Sequence, residues 1–158
     1  MDIIKMREDL AAAWTKERKV FIDGDMVKDI PIFIHTALLG LDQKNQDEIT
    51  IVFRSGGGES DMGMQIYETL KTLRSPTLGI VFKAGSAASL ALQGCTKRRI
   101  MQSGRILVHN PAIGDTSCLR YNEFYDEAIS FLTRVLKSNK EFMDKVFLER
   151  TKMKRDQL

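Results

Sequence analysis

The residues best suited to chemistry fall in three short stretches. Ser55-Gly56-Gly57-Gly58-Glu59-Ser60 follows an apolar run, and Lys83-Ala84-Gly85-Ser86-Ala87-Ala88-Ser89-Leu90-Ala91 is crowded with small residues. Arg105-Ile106-Leu107-Val108-His109-Asn110-Pro111 carries one of only two histidines. A serine in the first turn of a helix sits among free backbone amides and at the positive end of the helix dipole, where a developing anion is favoured. Ser89 occupies such a position. It serves there as a nucleophile or, in the commoner fate of small residues at a helix start, as a capping and packing residue. A lone strand histidine is usually structural, but a neutral imidazole is the usual base for activating a serine hydroxyl, and the serine and glycine loop ahead of His109 make it the candidate partner. Glycines let a backbone approach a peptide closely and donate N–H groups to an oxyanion. The glycine run is neither GxGxxG nor a phosphate-binding P-loop, since no lysine follows at the required spacing, so no nucleotide cofactor is indicated. His35, inside an apolar helical stretch, is expected to pack rather than react.

These side chains need a frame that brings them to one edge. Ile49 to Arg54 is a β-branched strand running into the glycine loop, after which Met62, Ile66, Leu70 and Leu73 recur at helical spacing as far as Ser75-Pro76. A second strand, Thr77 to Phe82, enters the small-residue stretch and a helix over Ala87 to Gln93. A third strand, Gly104 to Pro111, ends in His109. Consecutive strand-to-helix units predict an α/β fold whose mainly parallel sheet carries all three stretches at the C-terminal edge of its strands. Ahead of them, residues 7–18 read as an amphipathic helix with Leu10, Ala13 and Trp14 on one face. Lys19 to Ile22 reads as a strand closed by the turn Asp23-Gly24-Asp25, Ile30 to Leu41 as a helix, and Asp42 to Glu48 as a loop. From residue 120 to 149 the spacing changes to one long helix, more than a small core needs, and its surplus apolar residues make it the candidate oligomerisation element, although periodicity alone fits equally a helix lying wholly on its own domain.

Length and composition bound the rest. At 158 residues, 43% hydrophobic and 28% charged, the chain suits one globular domain, 1–158. The net charge of +3 gathers at Lys97-Arg98-Arg99 and between Arg150 and Arg155, with no interleaved aromatics, which reads as solvated faces and not as a nucleic-acid footprint. Cys95 and Cys118 have neither CxxC spacing nor a histidine pair, so they read as reduced thiols with no metal. No apolar run is long enough for a membrane span, and a cytoplasmic location is expected.

Taken together, Ser55-Gly56-Gly57-Gly58 with Gly63-Met64-Gln65-Ile66-Tyr67, then Ala84 to Ala91, then Arg105 to Pro111, resembles the ClpP family, the proteolytic subunits of Clp proteases. The resemblance implies a ClpP/crotonase-type fold and an ATP-dependent serine endopeptidase subunit that degrades unfolded polypeptides in a ring-shaped chamber. By that likeness Ser89 is the nucleophile, His109 the general base and later acid, and the N–H groups of Gly57 and Leu90 the oxyanion hole. Gly58 and Glu59 pair with an extended peptide substrate. A head over about 7–118 carries a handle helix over about 120–149, which joins heptameric rings into a double ring served by a Clp ATPase unfoldase; no cofactor is implied. The sequence departs from the family pattern at Gly56, where proline is common, and in the shortened loop holding Cys118. The axial N-terminal segment is also short. The family's triad aspartate falls just beyond the segment resembled by Thr151 to Leu158, so no acid is assigned: Asp156 lies on the wrong side, and Asp115 and Asp126 would need the loop after Pro111 to fold back. A chain truncated at its C-terminus is the expectation. Two alternatives stand beside it: a catalytically inactive ring subunit, and a crotonase-type acyl-CoA enzyme sharing the oxyanion-hole architecture.

Overall fold

Side-chain alternation fixes how the strands face. In the computed structural model, which describes residues 16–27, 30–112 and 125–157, four strands lie in chain order: β1 (Lys19–Met26), β2 (Ile49–Gly58), β3 (Thr77–Gly85) and β4 (Lys97–Leu107). They form one sheet in the order β1-β2-β3-β4, and all three pairings are parallel. Along β2 the odd residues Ile49, Ile51, Phe53, Ser55 and Gly57 are buried, while Arg54, Gly56 and Gly58 on the opposite face are exposed. Val20 and Ile22 of β1 and Val81 of β3 join the buried face. Val52, on the opposite face, is buried as well, so buried and exposed residues alternate strictly only beyond Phe53, while the odd positions of β2 face a layer of helices.

The cover comes from the crossover helices α1 (Ile30–Lys44), α2 (Ser60–Thr72) and α3 (Ala87–Leu92). Sequential strand order with crossovers of one hand delivers each helix to the same face, and α1 packs on α2 and α2 on α3. Helix α1 buries Pro31, Ile34, Leu38 and Leu41 at spacings of three and four. Helix α2 buries Met62, Ile66 and Leu70, and α3 is buried throughout. Leu38, Ile49, Ile51, Phe53 and Ile66, each under 2% exposed, contribute about 1.5–3 kcal/mol apiece by leaving water. Gly63 lets α2 approach α3, since an ideal Cβ there would stand 2.5 Å from the Ala87 carbonyl.

The structure corrects several boundaries. Asp23-Gly24-Asp25 is not a turn: β1 runs through it to Met26, with a register shift between Asp23 and Asp25 and Gly24 at φ +80°. A bulge absorbs the residues that in isolation read as a reversal. Likewise Ser55 to Gly58 is the last part of β2 and not a loop, because its backbone pairs with both neighbours, Gly58 with Met26 and Ser55 with Ala84. Strand β4 begins at Lys97 and ends at Leu107, so His109 follows the strand by two residues. Helix α1 runs on to Lys44. Asp42, at its end, accepts from the Ser75 backbone N–H at 2.7 Å and from Arg74 Nε at 3.4 Å. The Ser75 amide, ahead of its hydroxyl and Arg74, holds the Asp42 carboxyl down to about 2. His35 is exposed rather than packed, one position off the buried stripe, with Nδ1 2.8 Å from Thr69 Oγ1. Of the helix expected over 7–18 only the last three residues are described, Lys16 helical and Glu17 and Arg18 in a turn, and the loop around Cys118 and Asp115 lies outside the described residues.

The chain divides into two compact units between Leu107 and Val108. The second contains α4 (Tyr125–Arg150) and a 3-10 turn at Arg155–Gln157. With 26 residues, α4 is about 39 Å long. It buries Met143, Val146 and Phe147 and leaves Phe131 58% exposed, while Lys140 bridges to Asp144 one turn on at 2.9 Å.

Candidate active site

Gly57 marks the point where two strand ends and a helix start converge. Its φ of +105° is closed to most side chains, and an ideal Cβ would stand 2.5 Å from the Gly85 carbonyl oxygen and 2.6 Å from Ser86 Cβ. Only glycine fits, on conformation and on space alike. The Gly57 N–H donates to Ser55 Oγ at 3.0 Å within the buried layer. Gly58 sits on the exposed face, and the Glu59 N–H donates to the Met26 carbonyl at 3.0 Å. One of the two residues expected to pair with a peptide therefore spends its amide inside the sheet.

From β3 the chain turns into α3 at Ser86, whose φ of 49° and ψ of −123° form a conformation normally left to glycine. The turn is held from several sides. The Ser86 N–H donates to the Leu107 carbonyl at 2.8 Å, and the Ser86 carbonyl accepts from the Ser89 N–H at 2.9 Å and the Leu90 N–H at 3.3 Å. It also accepts from Ser89 Oγ at 2.6 Å. Ser89 is thus in the first turn of α3, as the spacing predicts, and wholly buried. Gln93 closes the turn by donating to the Ser89 carbonyl at 3.0 Å.

His109 belongs to the second unit and is exposed. Its Nδ1 lies 2.7 Å from the Asn110 carbonyl oxygen. A carbonyl only accepts, so Nδ1 carries the hydrogen and a neutral ring presents the Nε2 lone pair, the tautomer a general base requires. Asp156 lies exposed in the 3-10 turn.

Within the first unit the structure brings Gly57 against Ser86, and with it β2 against the start of the helix that carries Ser89 and Leu90. The two amides expected to form an oxyanion hole have partners inside the chain, Gly57 through Ser55 and Leu90 through Ser86. Sequence reasoning overlooked the side-chain turn at Ser55. A serine two residues ahead of a glycine is a recognised side-chain turn and was legible as such; the left-handed φ of Ser86 has no sequence signal.

Three likenesses to known proteins follow this arrangement. Residues 5–158 match the family model described as Clp protease. An ATP-dependent Clp protease proteolytic subunit from Carsonella ruddii (strain PV) is 32% identical over 106 residues, covering 65% of this chain and 55% of that protein. The chain thus spans just over half the length of this curated relative. A solved structure of a ClpP1 mutant from Listeria monocytogenes superposes with a TM-score of 0.78 at 20% identity, over 94% of this chain and 80% of that one. At that identity the superposition speaks for the fold, the parallel sheet with its covering helices. With the family model matching nearly the whole length, the chain belongs to the Clp protease family.

Proposed function

We propose that the chain is a serine endopeptidase subunit acting on extended, unfolded polypeptide, with Ser89 as nucleophile and His109 as general base and then acid. The observation that carries this reading is the crowding of Gly57 against Ser86, which sets a strand-end amide beside the first turn of the helix bearing Ser89. Family membership and the Nδ1–H tautomer of His109 support it. In the reaction Ser89 Oγ leaves its bond to the Ser86 carbonyl, loses its proton to Nε2 and attacks the scissile carbonyl. The Gly57 and Leu90 amides stabilise the resulting oxyanion once released from Ser55 and Ser86. The protonated imidazole then gives its proton to the leaving amine. The exposed backbone at Gly58 is the candidate strand for peptide pairing, with Glu59 at its end. Helix α4, with Phe131 exposed, is the candidate handle through which copies assemble into rings, the setting in which a Clp ATPase would deliver substrate. A cytoplasmic location fits such a partner.

A fluorophosphonate probe is expected to label the protein covalently at Ser89, with labelling lost in Ser89→Ala. Labelling that persists in that variant refutes the nucleophile assignment. A second reading, a non-catalytic ring subunit, is favoured by the internal satisfaction of Ser89 Oγ and both amides. A protein that sediments as a ring yet is neither labelled nor peptidolytic would establish it.

A further inference from the structure

The outer face of the sheet, opposite the helices, carries a row of cations that the family assignment does not explain. Arg54 of β2 is in register with Lys83 of β3, and Lys83 with Arg105 of β4. All three are exposed. Like charges on neighbouring strands repel, so a sheet keeps such a row only at some cost.

Bulges build the row. In β3, Thr77, Gly79 and Val81 face the helices, and strict alternation would turn residue 83 inward with them. A register shift between Phe53 and Arg54 intervenes, so Arg54 pairs with Lys83 and Ala84 takes the buried position. A second shift, between Val81 and Lys83, brings Arg105 alongside. Bulges that re-aim side chains are common beside active sites.

The three cations are not equivalent. Arg54 is paired with Asp23 and stacks over the Phe21 ring at 5.9 Å. Among the described residues, no carboxylate lies within ion-pair distance of Lys83 or Arg105. Lys83 also leans over the glycine strand: an ideal Cβ at Gly56 would stand 3.3 Å from Lys83 Nζ and 3.7 Å from Cε. Gly56 and Gly58 share that exposed face, so the ammonium lies beside the backbone where the proposed function pairs a peptide.

We propose that Lys83, reinforced by Arg105, is a specificity residue that selects extended peptides carrying an acidic side chain at the position facing Gly56. The inference rests on the peptide-binding reading above and names the substrate class for that site. An acidic side chain there would relieve the repulsion within the row while gaining an ion pair.

The test uses labelled ten-residue peptides, neutral except for one Asp moved along the sequence, each matched to an Asn counterpart. Binding to the Ser89→Ala protein is followed by fluorescence anisotropy, and hydrolysis by the unsubstituted protein in parallel. At one register the Asp peptide is expected to bind about two- to fivefold more tightly than its Asn match, the range of an exposed ion pair, with the difference shrinking as salt rises. Adding Lys83→Met should erase the preference, and Lys83→Glu should turn it toward a Lys-bearing peptide, a reversal that misfolding cannot mimic. Equal binding of Asp and Asn peptides at every register, a preference that survives Lys83→Met, or no peptide binding at all overturns the proposal. Acid preference without hydrolysis, and without fluorophosphonate labelling of Ser89, leaves this inference standing and defeats the peptidase reading alone.

Discussion

Ser89 Oγ donates across 2.6 Å to the Ser86 carbonyl, so the proton that a nucleophilic serine must surrender is held by the turn that begins its own helix. The Ser86 carbonyl keeps two backbone donors without it. Ser89→Ala should therefore cost stability only modestly, about 1 kcal/mol, while removing fluorophosphonate labelling completely. Urea denaturation and gel fluorescence on the same preparation separate the two effects; a collapse in stability would mean that the hydroxyl is chiefly structural.

Gly57→Ala meets both a left-handed φ and atoms closer than 3 Å on the β3 to α3 turn. A loss of about 2–4 kcal/mol is expected from strain and overpacking combined. A urea midpoint within error of the parent protein would show that the strand end can move away from Ser86.

At Ser86 the same conformational argument runs the other way. Its φ of 49° suits glycine, so Ser86→Gly should stabilise the fold by about 1 kcal/mol, the strain relieved less the entropy glycine adds to the unfolded chain. Thermal unfolding checks this, and an unchanged or lower midpoint contradicts it.

Asp42 gives a pH signature. Its folded value of about 2 lies below the ordinary 3.8, so the folded state binds the proton less readily than the unfolded one. The stabilisation is complete above the unfolded value and is lost as pH falls from about 4 toward 2. Allowing for solvent screening near the surface, Asp42→Asn should remove about 1–2 kcal/mol at neutral pH and flatten the acid limb of the stability curve. Parallel curves for the two proteins would exclude Asp42 as the source.

Much of this architecture is written in local residue patterns. The odd-numbered apolar positions of β2 and the spacing of Met62, Ile66 and Leu70 announce a buried strand and a covering helix, and the placement of Ser89 in the first turn of α3 follows from the small residues around it. The C-terminal ends of the strands were less legible. Gly24 and Gly57 look like turn residues in isolation, yet both lie within paired strands, because partners about 30 residues away supply the hydrogen bonds that keep the chain extended. The apolar neighbours of His35 suggest a packed histidine, yet one helical step of about 100° carries it out beside Thr69. The bulge that turns Lys83 outward has no local signature, since it depends on the registers of three strands at once.

The strictly sequential strand order also bears on how the sheet is made. Each strand pairs with the one synthesised just before it, across about 20–30 residues, a short separation for a parallel sheet. Among the described strands, none has to be inserted between two already paired. The sheet can therefore grow from one edge as the chain leaves the ribosome, each new strand and helix adding to a finished template. Until its successor arrives, the newest strand presents the growing edge, and in the described sheet that place belongs to β4 with its four basic residues, charges that deter pairing with a second unfinished chain.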